Sequence, residues 1–350
     1  MGNTTSLAAK LAEGTRLSLK EAQGLWDLDL LTLGQEADLA RRRLNPENRV
    51  TYVVDRNINY TNICTSGCRF CAYFREPGSP EGFVLNEIEL AQKLDELKAH
   101  GGSGVLLQGG LNPDLSFTYY VDLVRQIKDS GLGVHGFSPS EIAFMSRRFE
   151  LPLTDVLARL IEAGLSSIPG GGAEILADRV RGQISPRKCN SGEWLEVMAA
   201  AHEMGLKTSA TMMFGHLETR AERVEHLFKI RDLQDRTGGF ISFIPWTFQP
   251  GGTVLGGEPL GAVEYLRILA VSRLVLDNVP HLQVSWVTQG PKIAQVALKF
   301  GADDFGSTML EENVVAATGV GFRLSREEIE TLVRRAGYEP RVRDHRYNLL

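Results

Sequence analysis

The sequence has no apolar run close to the roughly 20 residues that a helix needs to cross a bilayer. Its first 22 residues lack the apolar core of a secretion signal and are amphipathic instead. Basic residues are not in excess, because 38 Lys and Arg stand against 43 Asp and Glu, whereas a nucleic-acid surface needs a clustered basic footprint. We therefore expect a cytoplasmic protein with no membrane insertion and no nucleic-acid partner.

Cysteine is scarce, with four residues in 350, yet Cys64, Cys68 and Cys71 lie within eight positions. In a reducing cytosol a structural disulfide is improbable, and closely spaced cysteines bind metals or act in catalysis. A lone cysteine is most often a small buried residue, but three thiolates on one loop repel each other unless a cation neutralises them. Zinc normally takes a fourth protein ligand, for which Cys189 is the other candidate. An iron–sulfur cubane held by three cysteines would keep one iron open.

Short β-branched or apolar segments alternate with helical ones along the chain. We predict eight strands, at 49–58, 104–110, 132–139, 165–172, 207–215, 240–248, 282–290 and 302–307. This alternation over about 260 residues predicts an α/β fold, a TIM-type (β/α)8 barrel at 49–310, with a partial six-stranded barrel as the alternative. Residues 1–48 are predicted as an N-terminal helical extension, and 311–350 as a C-terminal helix and tail packed on the barrel.

Capping signals mark several of the helices. Asn86 and Glu89 suit a helix start, Gly101 suits its end, and Ser325 with Glu328 forms a capping-box pattern. The apolar positions of the helix after Asn86 predict one buried face, made of Ile88, Ala91, Leu94 and Leu97. Further helices are predicted at 192–205, 220–239 and 291–301.

In such a barrel the active site lies at the C-terminal ends of the strands, and the cysteine loop follows the first strand. The second strand ends at Gly109 and Gly110, where the missing side chains let the backbone approach a ligand closely. The fourth ends in "IPGGGAEI", and we expect a helix from Ala173 that presents free backbone N–H groups to a polar ligand. At Gly109 and Gly110, a tight turn without function is the plain alternative.

The C-x3-C-x2-C motif with Phe70 before its last cysteine resembles the radical S-adenosylmethionine (SAM) superfamily. The resemblance implies that Cys64, Cys68 and Cys71 hold a [4Fe-4S] cluster, and that its fourth iron chelates the amino and carboxylate groups of SAM. It also implies SAM-binding roles for a further set of residues, which are Phe70, Gln108, Gly109, Gly110, Glu174, Met213 and Gly215. The fifth strand departs from the family pattern G-x-I-x-G-x-x-E, since Thr211 and Met213 replace its first glycine and its isoleucine.

A series of strings between residues 56 and 318 resembles one family of this superfamily, the dehypoxanthine futalosine cyclases of menaquinone biosynthesis. They include "RNINYTN", "LLQGGLNPDL", "SIPGGGAEIL", "ISPRKC", "FIPWTFQP" and "GADDFGSTMLEENVVAATG". The resemblance implies that flavodoxin or ferredoxin reduces the cluster, which cleaves SAM to a 5'-deoxyadenosyl radical. The radical takes hydrogen from the ribose C4' of dehypoxanthine futalosine; the carbon radical adds to the benzoate ring, and loss of an electron and a proton gives cyclic dehypoxanthine futalosine. Aminofutalosine synthases and deazaflavin (F0) synthases share the cluster and the barrel and remain alternatives.

That chemistry needs a base for the ring proton and donors for the benzoate carboxylate. His216, Asp303 and Glu141 are our candidate catalytic residues, chosen from polar residues near strand ends that also include Asp55, Tyr60, His135, Thr288, Gln289 and Ser307. Arginines that could grip the carboxylate are Arg56, Arg75 and Arg179, although surface arginines are usually just solvated. Trp246 and Phe248 either stack on the substrate or fill the barrel. A metal-binding redox sensor is the hypothesis from a different functional class.

Overall fold

The computed structural model describes residues 4–350. Its paired strands all run parallel to their neighbours. The strands are β1 (Arg49–Val53), β2 (Asp55–Asn59), β3 (Gly104–Gln108), β4 (Gly133–Gly136), β5 (Leu165–Ile168), β6 (Lys207–Phe214), β7 (Phe240–Thr247), β8 (His281–Leu282), β9 (Asp304–Ser307) and β10 (Glu339–Arg343).

Helices connect the strands and cover the outside of the sheet. They are α1 (Thr4–Glu13), α2 (Leu19–Gly24), α3 (Leu30–Leu44), α4 (Glu87–Ala99), α5 (Phe117–Asp129), α6 (Pro139–Arg148), α7 (Leu153–Ala163), α8 (Asp178–Ile184), α9 (Ser191–Glu203), α10 (Arg220–Thr237), α11 (Ala262–Val275), α12 (Trp286–Gln289), α13 (Pro291–Ala297) and α14 (Arg326–Arg335). Short 3-10 turns lie at Leu25–Asp27 and Ala316–Thr318. Within the described residues, no helix is both long and apolar enough to cross a membrane.

Backbone pairing closes the strands into a ring. Strands β2 to β8 form one sheet in sequence order, and β1, which continues into β2 after Val54, pairs with β9. The gap between β8 and β9 is bridged because Val284 N donates to Asp304 O at 3.0 Å and Asp303 N donates to Leu282 O at 3.1 Å. The (β/α)8 barrel is therefore confirmed, and the six-stranded alternative is not adopted.

The chain after α14 adds a strand to the N-terminal end of the barrel. Strand β10 pairs in parallel with β1, whose other edge holds β9. The predicted extended tail is thus a strand of the structure. Arg343, the buried last residue of β10, donates two hydrogen bonds to Asp304 of β9, so the tail turns into the end of the barrel. The division of the chain at residues 48 and 310 stays a prediction.

The predicted helix boundaries agree closely with α4, α9, α10 and α13. The capping boxes at Asn86 with Glu89 and at Ser325 with Glu328 are present. The predicted face of α4 is wrong in part, since Leu90, Leu94 and Leu97 are its buried residues and Ile88 is 72% exposed. The stripe that packs on the sheet therefore lies one step further round the helix than predicted.

Two other predictions are wrong. The segment 282–290 is not one strand, because β8 covers only His281–Leu282 and α12 follows at Trp286–Gln289. Its apolar residues are buried either way, so the pattern of burial did not distinguish the two states. No helix begins at Ala173. Glu174 has φ +40°, a left-handed backbone that is incompatible with a helix start, and α8 begins only at Asp178.

Candidate active site

The loop between β2 and α4 carries the three clustered cysteines at the C-terminal end of the barrel. The thiol sulfur of Cys64 lies 3.4 Å from Ser66 N and 3.3 Å from Leu111 N, both in donating geometry. Cys68 is buried, whereas Cys64 and Cys71 are half-buried, and none of the four cysteines forms a disulfide. These two backbone N–H groups fix the position of the Cys64 sulfur on the loop.

The three thiols suit a cluster better than a single ion. Among residues 4–350, no group of three His, Cys, Asp or Glu side chains converges closely enough to hold one metal ion, as zinc would require. In a cubane each thiolate binds a different iron, so no such convergence is needed. Burial raises the pKa of Cys68 to about 12 and also raises that of Cys71, so bound metal must displace their protons.

Two glycines at the end of β3 pack tightly against the cysteine loop. A Cβ on Gly109 would lie 2.5 Å from the Tyr60 ring, and one on Gly110 would collide with the carbonyl oxygen of Ile63 and lie 2.9 Å from the Cys64 Cβ. The backbone at both positions therefore approaches the cysteine loop too closely for any side chain. This packing is a structural reason for both glycines, and their role in a SAM-binding cradle stays a prediction.

Glu141, a candidate base, accepts hydrogen bonds from Gly109 of this cradle and from Tyr60. Its Oε1 accepts from Tyr60 OH at 2.7 Å and from Gly109 N at 2.9 Å. Its Oε2 accepts from the backbone and the hydroxyl of Ser138 as the capping box of α6. Burial raises the pKa of Glu141, although these four hydrogen bonds favour the carboxylate. The side chain thereby links β2, β3 and α6.

A buried ion pair stands between the cysteine loop and the end of β5. Lys188 Nζ lies 2.8 Å from Glu174 Oε1, with only 16% and 5% of the two side chains exposed. The same ammonium lies 5.4 Å from the centre of the Phe70 ring. Burial opposes its charge, but the negative charges of Glu174 and Cys68 outweigh burial and raise the pKa of Lys188.

Glu174 leaves one carboxylate oxygen without a hydrogen-bond partner in the described residues. Its Oε2 is buried, has no hydrogen-bond partner within the described chain, and lies 3.9 Å from the Arg181 guanidinium. An unpaired buried acceptor costs about 1–3 kcal/mol, so this atom fits the predicted role of accepting from the ribose hydroxyls of SAM. Glu174 O also accepts from Met213 N at 2.8 Å, which ties β6 to this loop.

A cavity of about 270 Å³ occupies the barrel interior. Gln108, Glu174 and the glycines 170–172 line its upper end, and Trp246 lines its wall. The rest of the lining is mixed. Its polar residues include Asp55, Asn57, His135, Ser209, Thr211, Ser242, Gln283, Ser285, Thr288, Ser307, Arg343, His345 and Tyr347, whereas most of the lining surface is apolar and comes from residues such as Val53, Leu106, Ile241, Ile244, Val284, Trp286 and Val315. Barrel interiors are ordinarily packed with Val, Ile and Leu, so an open lumen that also carries polar side chains indicates a site for a ligand with both apolar and polar groups.

His216 and Asp303 do not line this cavity. The His216 ring is buried between Glu218 and the Met213 carbonyl, and burial lowers its pKa. Asp303 binds Arg273 at 2.6 Å and His281 at 2.5 Å. Burial raises the pKa of Asp303, but Arg273, His281 and the Leu282 N–H together outweigh burial, so this pKa falls. Both side chains are therefore already engaged within the protein, and their catalytic roles stay predictions.

The remaining candidates lie in the turn after β6, in the core, in ion pairs or in the cavity. Gly215 has φ +96° and donates to Glu218 at 2.7 Å, which forms the turn after β6. Met213 and Phe248 are buried. The arginines considered for the carboxylate all hold ion pairs, Arg56 with Glu96 and Glu311, Arg75 with Glu81, and Arg179 with Glu222. His135 does line the cavity and bonds Ser167 at 2.7 Å.

Sequence reasoning missed two sets of site residues. Lys188 lies in the string "ISPRKC" between α8 and α9, where a basic residue beside a cysteine and after the glycine loop was an available signal. No such signal exists for the tail residues Arg343, His345 and Tyr347, because the sequence of an extended basic tail does not indicate that it enters the barrel.

Comparison with known proteins places the chain in a family. Residues 58–230 match the radical SAM superfamily model, and residues 237–350 match the model of the CofH/MqnC C-terminal region. The chain is 41% identical to a cyclic dehypoxanthine futalosine synthase of Halalkalibacterium halodurans, over 97% of this chain and 93% of that one. It is 42% identical to one of Streptomyces coelicolor, over 97% and 87%. Identity to an aminodeoxyfutalosine synthase of Thermus thermophilus is 40%, over 97% and 94%. The chain therefore belongs to the radical SAM superfamily, in the family that contains the cyclic dehypoxanthine futalosine synthases and their aminodeoxyfutalosine synthase relatives.

Proposed function

We propose that this enzyme converts dehypoxanthine futalosine to cyclic dehypoxanthine futalosine in menaquinone biosynthesis. As a radical SAM enzyme it uses a [4Fe-4S] cluster and SAM. The observation that carries the substrate assignment is the identity of 41% and 42%, over 97% of the chain, to two proteins named cyclic dehypoxanthine futalosine synthase. The mixed lining of the cavity in the barrel supports it, because such a substrate has both an aromatic ring and hydroxyl groups to bind.

We assign cofactor binding to residues at the C-terminal ends of the barrel strands. Cys64, Cys68 and Cys71 would hold the cluster, and the backbone at Gly109 and Gly110 would receive SAM beside it. The free Oε2 of Glu174 would accept from the ribose hydroxyls of SAM. Phe70, Gln108, Met213 and Gly215 complete this proposed set. When bound, the cluster and SAM supply the radical that takes hydrogen from C4' of the substrate ribose.

The protein's own part is to position the substrate and exclude water. The cavity is enclosed by the eight strands, and its lower end is closed by the tail, so a bound substrate is removed from solvent. The benzoate ring must lie within attack distance of C4', and a displacement of about 1 Å could cost on the order of a hundredfold in rate. Trp246, a half-buried residue of the cavity wall, is placed to pack against the ring.

The candidate bases keep different roles in this proposal. Glu141 holds the Gly109 backbone and Tyr60, so it acts on the cradle from a position outside the cavity lining. His216 and Asp303 would need to give up their present partners to accept a proton from the substrate ring. Within the cavity, Asp55 and His135 are titratable side chains that line the space directly.

The electron donor is proposed to be a flavodoxin or a ferredoxin, in the cytoplasm. Two exposed arginines, Arg69 and Arg187, flank the cysteine loop, since Arg69 N donates to Ile184 O at 2.9 Å and Arg187 Nε to Ser66 O at 3.2 Å. In the described part of the chain, neither pairs with a carboxylate, and their positive charge would attract an acidic donor protein to the surface nearest the cluster.

An aminodeoxyfutalosine synthase is the second candidate, favoured by 40% identity over 97% of the chain to the Thermus protein. The test is anaerobic reconstitution of the enzyme, followed by incubation with SAM, a reductant and each candidate substrate in turn. Mass spectrometry should detect cyclic dehypoxanthine futalosine only with dehypoxanthine futalosine, together with 5'-deoxyadenosine. Product from the aminodeoxyfutalosine precursor instead would replace the proposal with the second candidate. No 5'-deoxyadenosine with any substrate would favour a redox sensor.

A further inference from the structure

The lower end of the cavity, which we call the floor, is built from two strand residues and one tail residue. Asp55 and Asn57 lie two positions apart on β2 and both line the cavity. His345 reaches the same space from the tail after β10. All three side chains are at least nine-tenths buried, with 3%, 6% and 9% of their surface exposed. The site is therefore formed inside the protein and is not a surface feature.

The floor presents polar atoms that the protein does not pair. Asn57 Oδ1 is buried with no hydrogen-bond partner in residues 4–350, and the same is true of His345 Nε2. Asp55 Oδ1 accepts from the Ser307 hydroxyl, and its Oδ2 lies 3.4 Å from His345 Nε2. Buried polar atoms are nearly always paired, so these atoms mark a place where a ligand forms hydrogen bonds.

Among the described residues that line the cavity, no free cation faces the floor. Burial lowers the pKa of His345 to about 3 and lowers that of His135, which stacks on it at 4.9 Å, so both rings are neutral. Arg343 is the one guanidinium of the cavity lining. Its Nε and Nη2 donate to Asp304, and its Nη1 donates to the carbonyl oxygen of Asp344. Asp304 therefore offsets the charge of Arg343, and Asp55 is the carboxylate of the floor itself. A ligand carboxylate would be repelled here, whereas hydroxyl groups would be accepted.

We propose that Asp55, Asn57 and His345 bind the hydroxyl groups of the substrate's sugar, so that the C-terminal tail supplies part of the substrate site. The inference rests on the proposed function and deepens it. It sets the orientation of the substrate, with the sugar hydroxyls toward the floor and the benzoate carboxylate away from it. Tyr347 supports the arrangement, because its ring stacks on His281 at 4.2 Å and packs 3.8 Å from the Arg343 guanidinium.

The test compares dehypoxanthine futalosine with analogues that each lack one sugar hydroxyl, on the reconstituted full-length enzyme. The wild type should lose about tenfold in kcat/KM with at least one analogue, which is the usual worth of one buried hydrogen bond. The near-isosteric variants Asn57→Leu and His345→Phe should lose a similar factor with the full substrate and then no longer discriminate against that analogue. Arg346→Ala, on the exposed side of the same tail, is the matched control and should discriminate as the wild type does.

Iron content separates a local effect from misfolding, since it should be unchanged in the variants. Equal kcat/KM of the wild type for all analogues would overturn the inference and leave the proposed function intact, because the floor would then hold only water. Discrimination retained in both floor variants would overturn it too. If the wild type converts no futalosine-derived substrate, the proposed function fails and the inference fails with it.

Discussion

Removal of the Lys188 charge should lower the free energy of unfolding, because it breaks the buried ion pair with Glu174. The pair with Glu174 is at 2.8 Å and largely buried. Lys188→Met keeps the volume but strands the Glu174 carboxylate, whose other cationic neighbour is Arg181 at 3.9 Å. Loss of one partner of a buried pair costs about 3–5 kcal/mol, and we expect about 3 kcal/mol because Arg181 remains. Out of a total of about 5–15 kcal/mol for a typical domain, that loss is large.

Urea unfolding of the cluster-free protein at neutral pH, followed by tryptophan fluorescence, measures this change. Lys188→Arg, which keeps the charge, should unfold close to the wild-type midpoint. The double variant Lys188→Met with Glu174→Gln should regain most of the lost free energy, because it leaves no unpaired charge. If the unfolding free energy lost in the double variant equalled the sum of the losses in the two single variants, the account of a coupled buried pair would be refuted.

Three further predictions concern the cysteines, the glycine cradle and the floor. Substitution of Cys64, Cys68 or Cys71 by Ala should abolish iron binding and SAM cleavage, whereas Cys189→Ala should spare both in the same assays. Gly110→Ala should weaken the cysteine loop and lower iron content because its Cβ meets backbone, while Gly182→Ala, whose Cβ meets open space within α8, should stabilise the apo-protein by about 0.5–1 kcal/mol in the urea assay. Burial raises the pKa of Asp55 to about 6. A raised carboxyl pKa means that the native state keeps this proton up to a higher pH than the unfolded state does. The free energy of unfolding should therefore fall by about 3 kcal/mol as pH rises from about 4 to 6. Asp55→Asn should remove that fall from urea titrations across this range, and an unchanged profile would contradict the assignment.

The barrel was predictable because most of its strands can be recognised from their local sequence. Segments such as 104–110 and 207–215 are short, β-branched and bounded by glycine, and helices such as α4 begin at capping residues that act within one turn. The cysteine loop was predictable for the same reason, since its spacing is local and its place after the first strand follows from strand order.

Features that depend on tertiary contacts were not predictable. The 282–290 segment is buried whether it is strand or helix, and only its neighbours decide between them. Glu174 adopts a left-handed backbone that propensity disfavours, held by contacts with Lys188 and Met213. The entry of His345 into the barrel depends on pairing between β10 and β1, nearly 290 residues apart in sequence.

The central claim is that three cysteines hold a cubane with one iron left open for SAM. Electron paramagnetic resonance of the anaerobically reconstituted and reduced Cys189→Ala variant tests it most directly, alongside iron analysis. We predict about four irons per chain, a reduced [4Fe-4S] signal, and a change in that signal when SAM is added. A signal that SAM leaves unchanged, or loss of the cluster in this variant, would contradict the three-cysteine site.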